Sequence, residues 1–327
     1  MKLGKVSEAI LKRSILKQIH IKRDEVLCGA GAGHDCAVLN AVPDEVTCLS
    51  TETVEGGFGE PGTRAVLRTL NNLAASGAVP VAVLLNILVP ERYSEAKLKK
   101  IMAQAEAVCA GYQVQIAGGH TSVSAHVTVP VVTVTAVGRQ KAGKVAASSN
   151  VKPGMDIVIT KWVGLEGTVL LAKEKEEELQ TRYAAPFIEK AKKLDVYLPI
   201  LSEAAVAVRS GVDAMHDASE GGIFGALWSM AEASGVGLEI DAKKIPIRQE
   251  TVEVCEFFGV NPYELHAGGS MILATEDGNG LVAELEKDGI KATVVGKATA
   301  GNDRVLWNED ETRFLEPPKT DELYRFF

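Results

Sequence analysis

Apolar positions recur along this chain with two periods, one near 3.6 residues and one of two, and the periods alternate. Helical spacing with interleaved lysines predicts an amphipathic helix over 5–19. A Gly-rich loop and a short apolar stretch at 37–39 follow, then a strand over 46–50. Residues 63–76 read as a helix, opened by Pro61-Gly62 and closed at Gly77. The nearly continuous apolar run 81–89, ended by Pro90, predicts a buried strand. Residues 94–110 read as a helix with Gly111 as its stop. Residues 127–137 alternate β-branched positions and read as a strand, with Pro130 marking an irregularity or an edge.

The stretch 141–153 is polar, small and flexible in character, which places a domain boundary there, between domains at 1–145 and 150–327. The second half predicts a strand over 156–160, a turn at Gly164 and Gly167, and a helix carrying KEKEEE. Further helices are expected at 200–209, 222–233 and 249–257, and strands at 236–240, 270–274 and 293–296. Strands alternating with helices throughout argue for an α/β fold of two modules. No short-period repeat is evident.

Composition narrows the function classes. The chain has 327 residues, 46% of them hydrophobic and 24% charged, which is ordinary for a globular protein. A formal net charge of -8 argues against nucleic acid as the main partner, because binding a phosphate backbone needs a basic surface. One local cluster would still suffice for a small phosphorylated ligand. The five cysteines are odd in number and show no C-x-x-C spacing, so neither a disulfide framework nor a structural zinc site is expected. The N-terminal segment lacks the apolar core and cleavage site of a secretory signal, and no apolar run approaches ~20 residues. The expected setting is cytoplasmic and reduced, with no membrane contact.

Four segments carry candidate chemistry. The first, GAGAGHDCAVL, has alternate glycines at Gly29, Gly31 and Gly33 that would let backbone N–H groups approach a ligand. Asp35 just beyond them suits a Mg²⁺ bridging phosphate oxygens, although on this segment alone a flexible loop with a turn aspartate is favoured. The second, ETVEGGFGEPGTRAVLRTLNNLAASGA, puts Glu52 and Glu55 at a strand end and Arg64, Arg68, Asn72 and Ser76 on one helical stripe. A solvated face is the simpler reading for the arginines. Asn71-Asn72 differ, because asparagine is a poor mid-helix residue and a pair there suggests hydrogen-bonding or ligand duty. The third, AGGHTSVSAH, ends a strand-like stretch at Gly118-Gly119 and follows it with His120 and Thr121. His120 could bind a metal or phosphate, against the commoner role of a hydrogen-bonded structural histidine; His126 reads as structural. The fourth, HDASEGGIFGAL, sets Asp217 and Ser219 before a Gly-Gly helix start, where exposed N–H groups favour anions. The alternative for Asp217 is a residue of the N-cap region. AGGSMILAT adds another Gly-rich entry to a strand, and His266 before it has no clear role. Cys36, beside Asp35, is the only cysteine in a candidate site.

Taken in order, these segments resemble the AIR-synthase superfamily, which includes aminoimidazole-ribonucleotide synthase, thiamine-monophosphate kinase, selenophosphate synthetase and the hydrogenase-maturation protein that dehydrates a carbamoyl group on ATP. GHDCAV resembles the family's G-D-D-A-A-V signature. LNNLAASGAVP resembles N-D-L-A-x-x-G-A-x-P, GGHTSV the glycine-glycine-acidic-threonine segment, and HDASEGGI the H-D-x-(S/T)-x-G-G segment. The resemblance covers nearly the whole chain. It implies two α/β domains, N-terminal sheets paired across a homodimer, and ATP with Mg²⁺ between that sheet and the Gly-rich loop. Carried over by position, Asp35 and Glu52 would hold the metal, with Asp35, His120 and Asp217 as catalytic candidates. Gly29, Gly31, Gly33, Asn71, Asn72, Gly118, Gly119 and Thr121 would hold the nucleotide. The family chemistry is phosphoryl transfer to a substrate oxygen.

This chain departs from the pattern at several carboxylate positions. Asn72 replaces the acid of the N-D pair, His120 stands where several members have Asp or Glu, and Ser122 follows Thr121 where Glu is expected. Glu52 is one methylene longer than the usual Asp. The hydrogenase-maturation members end in a carbamoyl-carrying cysteine, whereas this sequence ends DELYRFF with no cysteine after Cys255, which argues against the same carrier chemistry. Cys28 beside Gly29 lacks the lysine of selenophosphate synthetase. Segments such as IPIRQETVEVCEFFGVNPYEL bring the chain nearest to the hydrogenase-maturation-like branch. The leading expectation is an ATP-dependent enzyme acting on a small molecule or a carrier protein. The alternatives are a degenerate nucleotide-binding or assembly protein without turnover, and a structural dimer whose Gly-rich loops are only turns.

Overall fold

The structure is a computed structural model, and it describes residues 3–31, 36–309 and 311–326. The chain forms two compact units, Met1–Leu73 with Ala78–Gly143, and Ala74–Gly77 with Lys144–Phe327. Both mix sheet and helix, as the α/β expectation requires.

The first unit runs β1 (Gly4–Lys5), α1 (Glu8–Ile10), β2 (Val26–Cys28), β3 (Val38–Leu39), β4 (Glu45–Glu55), α2 (Pro61–Ala74), β5 (Val79–Pro90), α3 (Glu95–Gly111), β6 (Gln115–Ser124) and β7 (Val131–Lys141). Its main sheet has the order β1-β6-β5-β7-β4, with β5 and β6 parallel and the other pairs antiparallel. Alternation along the strands gives the sheet two unlike faces. Val83, Leu85 and Ile87 of β5, with Val132, Val134 and Ala136 of β7, are buried on one side. α2 lies on that side, because Gly138 leaves room for Leu73: a Cβ there would come within 2.7 Å of its side chain. The opposite face is lined by threonines, with Thr51 and Thr53 of β4 meeting Thr135 and Thr133 of β7 at 3.1 and 2.9 Å. On that face Leu49 is 68% exposed.

Three expectations for this unit need correction. The first helix does not begin at residue 5. Gly4 and Lys5 pair with β6 instead, Ser7 caps the helix through its side chain, and the chain then passes through a π-helical stretch at Leu11–Ile15. The strand expected at 127–137 begins after Pro130, whose carbonyl accepts the Gly56 N–H at 2.7 Å. β6 does not stop at Gly118-Gly119 but continues through His120 and Thr121 to Ser124. It passes there because Gly119, at φ 139°, has no Cβ, which would fall 1.9 Å from the Leu85 carbonyl oxygen.

The second unit runs β8 (Asp156–Thr160), α4 (Leu165–Glu174), α5 (Glu176–Leu179), α6 (Ala185–Lys192), α7 (Leu201–Arg209), β9 (Ala214–Ala218) and α8 (Gly222–Ser234). It continues through β10 (Gly237–Asp241), α9 (Gln249–Phe258), β11 (Ser270–Thr275), α10 (Gly278–Lys287), β12 (Ala292–Thr299), β13 (Arg304–Asn308) and β14 (Glu311–Phe314). One sheet of order β14-β13-β10-β12-β8-β11-β9 organises it, with only β10 and β13 parallel. Apolar residues pack on both faces. Ile157, Ile159 and Ile272 meet Ile223, Leu227 and Met230 of α8 on one. Val158, Met271 and Leu273 meet Ala204 and Ala207 of α7 and Leu281 and Leu285 of α10 on the other. Burial on both faces explains why β8 and β11 read as unbroken apolar runs.

Candidate functional site

In the first unit Glu52 lies within β4 rather than at its end, and it meets the second of the paired asparagines. Asn72 Nδ2 donates to Glu52 Oε2 at 3.4 Å, linking α2 to β4 on the helix-covered face of the sheet. Asn71 beside it is only 3% exposed. Asn71 thus lies along the helix among Leu70, Leu73 and Ala74, which are all buried, while Glu52 and Asn72 are half-buried. Thr121 is buried as well, and its carbonyl accepts the Val6 N–H.

The expectation that Arg64 belongs to a solvated face is overturned. Arg64 is buried, donates to the Phe58 carbonyl at 3.3 Å and lies 4.9 Å from the centre of the Phe58 ring. The cause is the loop before α2, whose Phe58 lies against Arg64 and covers most of its surface.

His120 does not join the Glu52 group. It is exposed and sits opposite Asn86 on β5, one residue from buried Thr121. Strand alternation therefore points it away from the helix-covered face. Gly118, on the His120 side, has Leu84 and Ala37 nearest to the place a Cβ would take, at 3.2 and 3.9 Å. Gly29 sits at the base of the Gly-rich loop against β6, where a Cβ would meet the Gln115 amide at 2.6 Å. The loop's root is therefore packed on the strand that carries Gly118. Gly31 is half-buried. Gly33 and Asp35 lie outside the described residues.

In the second unit, Asp217 is buried on β9, opposite Met271 of β11, whose N–H donates to the Thr160 hydroxyl of β8 at 3.0 Å. One row across three strands thus leads from Asp217 to Thr160 and its neighbour Lys161. Lys161 adopts φ 52°, an uncommon conformation for a side-chain-bearing residue. Its buried ammonium donates to the Tyr197 and Pro199 carbonyls at 2.7 and 2.6 Å and pairs with the buried Glu203. Burial pulls the Lys161 ammonium below the ordinary lysine value, against the opposing pull of Glu203. With three donors engaged, it acts as a fixed counter-charge and a tie between β8 and the start of α7.

A second buried group lies at the start of α4 and α8. His266 Nδ1 is 3.4 Å from Glu166 Oε2 and 3.3 Å from the Gly268 N–H. A Cβ at Gly268 would fall 2.2 Å from the Glu166 carboxylate, so a larger residue there would displace that side chain from His266. Asp321, 2% exposed, accepts from the N–H groups of Gly221, His266 and Leu323. Burial raises its carboxyl above the usual range, against those three bonds. Lys161, Glu166, Glu203, His266 and Asp321 were not assigned roles by sequence reasoning. Their legible trace was a charged residue inside apolar or glycine-rich runs, as in VITKWVGLEG and LHAGG.

Among the described residues, no group of three His, Cys, Asp or Glu converges on a point that could hold a metal ion. The groups that do meet, the Glu52 carboxylate and the Asn72 amide, are hard oxygen and amide groups. Their chemistry fits a phosphate with its Mg²⁺ better than a soft metal. No helix among the described residues is long and apolar enough to cross a membrane.

Residues 33–140 match the family model of the AIR synthase related protein N-terminal domain, and residues 152–308 that of its C-terminal domain. A Methanocaldococcus jannaschii protein with the provisional name of hydrogenase expression/formation protein is 29% identical over 313 residues, 93% of this chain and 90% of that one. Carbamoyl dehydratase HypE of Rhodobacter capsulatus is 29% identical over 255 residues, 76% of this chain and 72% of the relative. The crystal structure of hydrogenase maturation protein HypE in complex with ATP aligns with a TM-score of 0.76, covering 98% of this chain and 97% of that chain at 17% identity. At that identity the likeness is one of fold.

Proposed function

This chain belongs to the AIR synthase related family, and from that premise we propose that it is an ATP-dependent enzyme activating a substrate oxygen by phosphoryl transfer. The observation that carries the reading is the Asn72–Glu52 contact between α2 and β4, with the buried Asn71 beside it on the helix. Asparagine is a poor mid-helix residue, and two in succession at this contact are what ligand duty explains. The relatives support the nucleotide, since the HypE structure was solved with ATP.

Asp35 and Glu52 would hold Mg²⁺, and when bound the ion would neutralise phosphate oxygens. Asn71, Asn72 and the Thr121 hydroxyl would donate to phosphate from the helix-covered side of the sheet, and the backbone N–H groups of Gly29, Gly31, Gly33, Gly118 and Gly119 would hold the rest of the nucleotide along β6 and the Gly-rich loop. Asp217 would face the substrate, its charge balanced by Lys161. His120 would act from the open sheet face. That face, with its threonine ladder and exposed Leu49, suits pairing with a second copy of the chain. The substrate would be a small molecule or a carrier protein, handled in the cytoplasm.

The second reading is a nucleotide-binding or assembly protein without turnover. It is favoured by Asn72, His120 and Ser122, each standing where relatives of this family are expected to carry an acid. Mg²⁺-dependent release of phosphate from ATP, measured beside the Glu52→Gln variant, separates the two. Turnover lost in the variant supports the enzyme. Nucleotide binding without turnover in either protein supports the second reading.

A further inference from the structure

The second unit ends its sheet in a strand with an open edge. β14 is the outermost strand among the described residues, and all four of its residues are exposed. It pairs with β13 through Asn308↔Glu311, Trp307↔Thr312, Leu306↔Arg313 and Val305↔Phe314, and the Leu315 N–H donates to the Arg304 carbonyl at 2.7 Å. In an antiparallel pair, hydrogen-bonded positions alternate with unbonded ones. The bond at Leu315 sets the phase. Glu311 and Arg313 turn their backbone groups towards β13, and Thr312 and Phe314 turn theirs outward. Natural edge strands are commonly covered or blunted. This one leaves Phe314 65% and Trp307 40% exposed on one face of the hairpin.

On the other face, two cavities of about 460 and 410 Å³ adjoin at Leu306 and Arg313. The larger is walled by Phe224, Leu315, Pro317 and Pro318. Phe224 stacks on Tyr263 at 5.0 Å, and the Arg313 guanidinium lies 5.6 Å from the Phe224 ring centre. The neighbouring cations are already paired, Lys243 with Glu309 and Lys319 with Glu316. Arg313 has no carboxylate partner among the described residues.

We propose that the β14 edge, Arg313 and the larger cavity together bind an extended peptide segment of another protein, in which an acidic residue is followed or preceded two positions away by an apolar one. Thr312 and Phe314 supply backbone donors and acceptors for an added strand. The planar guanidinium, steadied by the ring, takes the carboxylate in two-pronged fashion. Side chains two apart on an extended chain are separated by about 6.8 Å on the same face, so the apolar one enters the cavity beside Arg313. A second copy of β14 is a poorer complement, because two positions from its Glu311 stand Glu309 and Arg313 rather than an apolar side chain that could enter the cavity. The surface is independent of the nucleotide reading and stands or falls separately.

The test pans a displayed library of random heptapeptides against the full chain. The expected result is enrichment of Asp or Glu two positions from an aliphatic or aromatic residue. A synthetic peptide of the enriched sequence should bind by fluorescence polarisation, and at least tenfold more weakly to Arg313→Glu and to Thr312→Pro. Thr312→Val, which keeps the outward N–H, should bind as the parent does. No enrichment over an unrelated protein overturns the proposal, as does an enriched peptide that binds Arg313→Glu and Thr312→Pro like the parent. Sedimentation showing a dimer that Thr312→Pro dissolves, without peptide binding, assigns the edge to a second copy instead.

Discussion

The Asp321 carboxylate accepts the backbone N–H of Gly221 at 2.7 Å, and through its other oxygen it accepts those of His266 and Leu323 at 3.2 and 2.9 Å. One buried side chain near the end of the chain thus fixes both the Gly-Gly start of α8 and the loop leading into β11. Asp321→Ala would strand these donors. An unsatisfied buried donor costs about 1–3 kcal/mol, and partial relaxation brings the expected loss to roughly 2–4 kcal/mol. Urea denaturation of the two proteins measures it. A loss below about 0.5 kcal/mol would mean that the C-terminal segment does not hold these loops.

Glu95 accepts from Arg13 and Ser14, tying the N-terminal helical segment to the start of α3. The Arg13 hydrogen bond, with that of Ser14, lowers its carboxyl from 4.5 to about 2. Glu25, hydrogen-bonded to Arg23, is also lowered to about 2. Both folded values lie below the unfolded ones, so their stabilisation is fully present above pH 4.5. It is lost as pH falls towards 2, because the unfolded chain takes up the protons first. Urea midpoints between pH 5 and 2.5 should fall less steeply in Glu95→Gln than in the parent. Equal slopes would refute the assignment.

The cysteines should divide by burial. Burial pushes the Cys109 and Cys255 thiols up to about 12, while Cys36 is exposed. The thiolate is the reactive form. At pH 8, iodoacetamide should label Cys36 in the native protein and reach Cys109 and Cys255 only after denaturation, as read by peptide mass mapping. Native labelling of Cys109 at the rate of Cys36 would contradict the buried placement of α3.

Gly119 should tolerate no side chain. Alanine there would place Cβ 1.9 Å from the Leu85 carbonyl oxygen at φ 139°, so β6 must move away from β5. Backbone strain of this kind costs about 1–3 kcal/mol before the clash is counted. Gly118→Ala meets only the Leu84 side chain, at 3.2 Å, and should cost less. Melting temperatures of the two variants in the reverse order would refute this account of β6.

Much of the fold was legible where a single period dominates. β5 and β8 are buried apolar runs bounded by turn residues, and α3 has Ser94 as its N-cap, its side chain accepting from the Lys97 N–H. The hairpin of β13 and β14 was not legible, because an exposed edge strand carries charges and no apolar alternation. β9 was hidden for another reason. Its AMHDA mixes a histidine and an aspartate into a buried strand, which makes sense only once α7 and α8 cover it. At the candidate site, Asn71-Asn72 stood out as poor helix formers, and Asn72 does contact Glu52 of β4. The two-faced placement of His120 and Thr121 was invisible while β6 was thought to end before them. Lys161 and Asp321 were missed because their partners are distant in sequence, Glu203 and Gly221 among them.

The Asn72–Glu52 contact also makes the site's metal preference testable. Asn72→Asp replaces a donor 3.4 Å from the Glu52 carboxylate with a second negative charge. Without divalent ions this variant should melt lower than the parent, and Mg²⁺ should restore it more than it stabilises the parent. A melting temperature indifferent to Mg²⁺ would remove Glu52 from the metal site.

The most direct test of the nucleotide reading is a thermal-shift titration of the parent and of Asp35→Ala with ATP, with and without Mg²⁺. A ligand binding only the native state at ~100 times its Kd stabilises it by ~2.7 kcal/mol. The account predicts a Mg²⁺-dependent upward shift with ATP in the parent, and its loss in Asp35→Ala without a change in that variant's ligand-free melting. No shift with ATP in the parent, or an undiminished shift in Asp35→Ala, would contradict it.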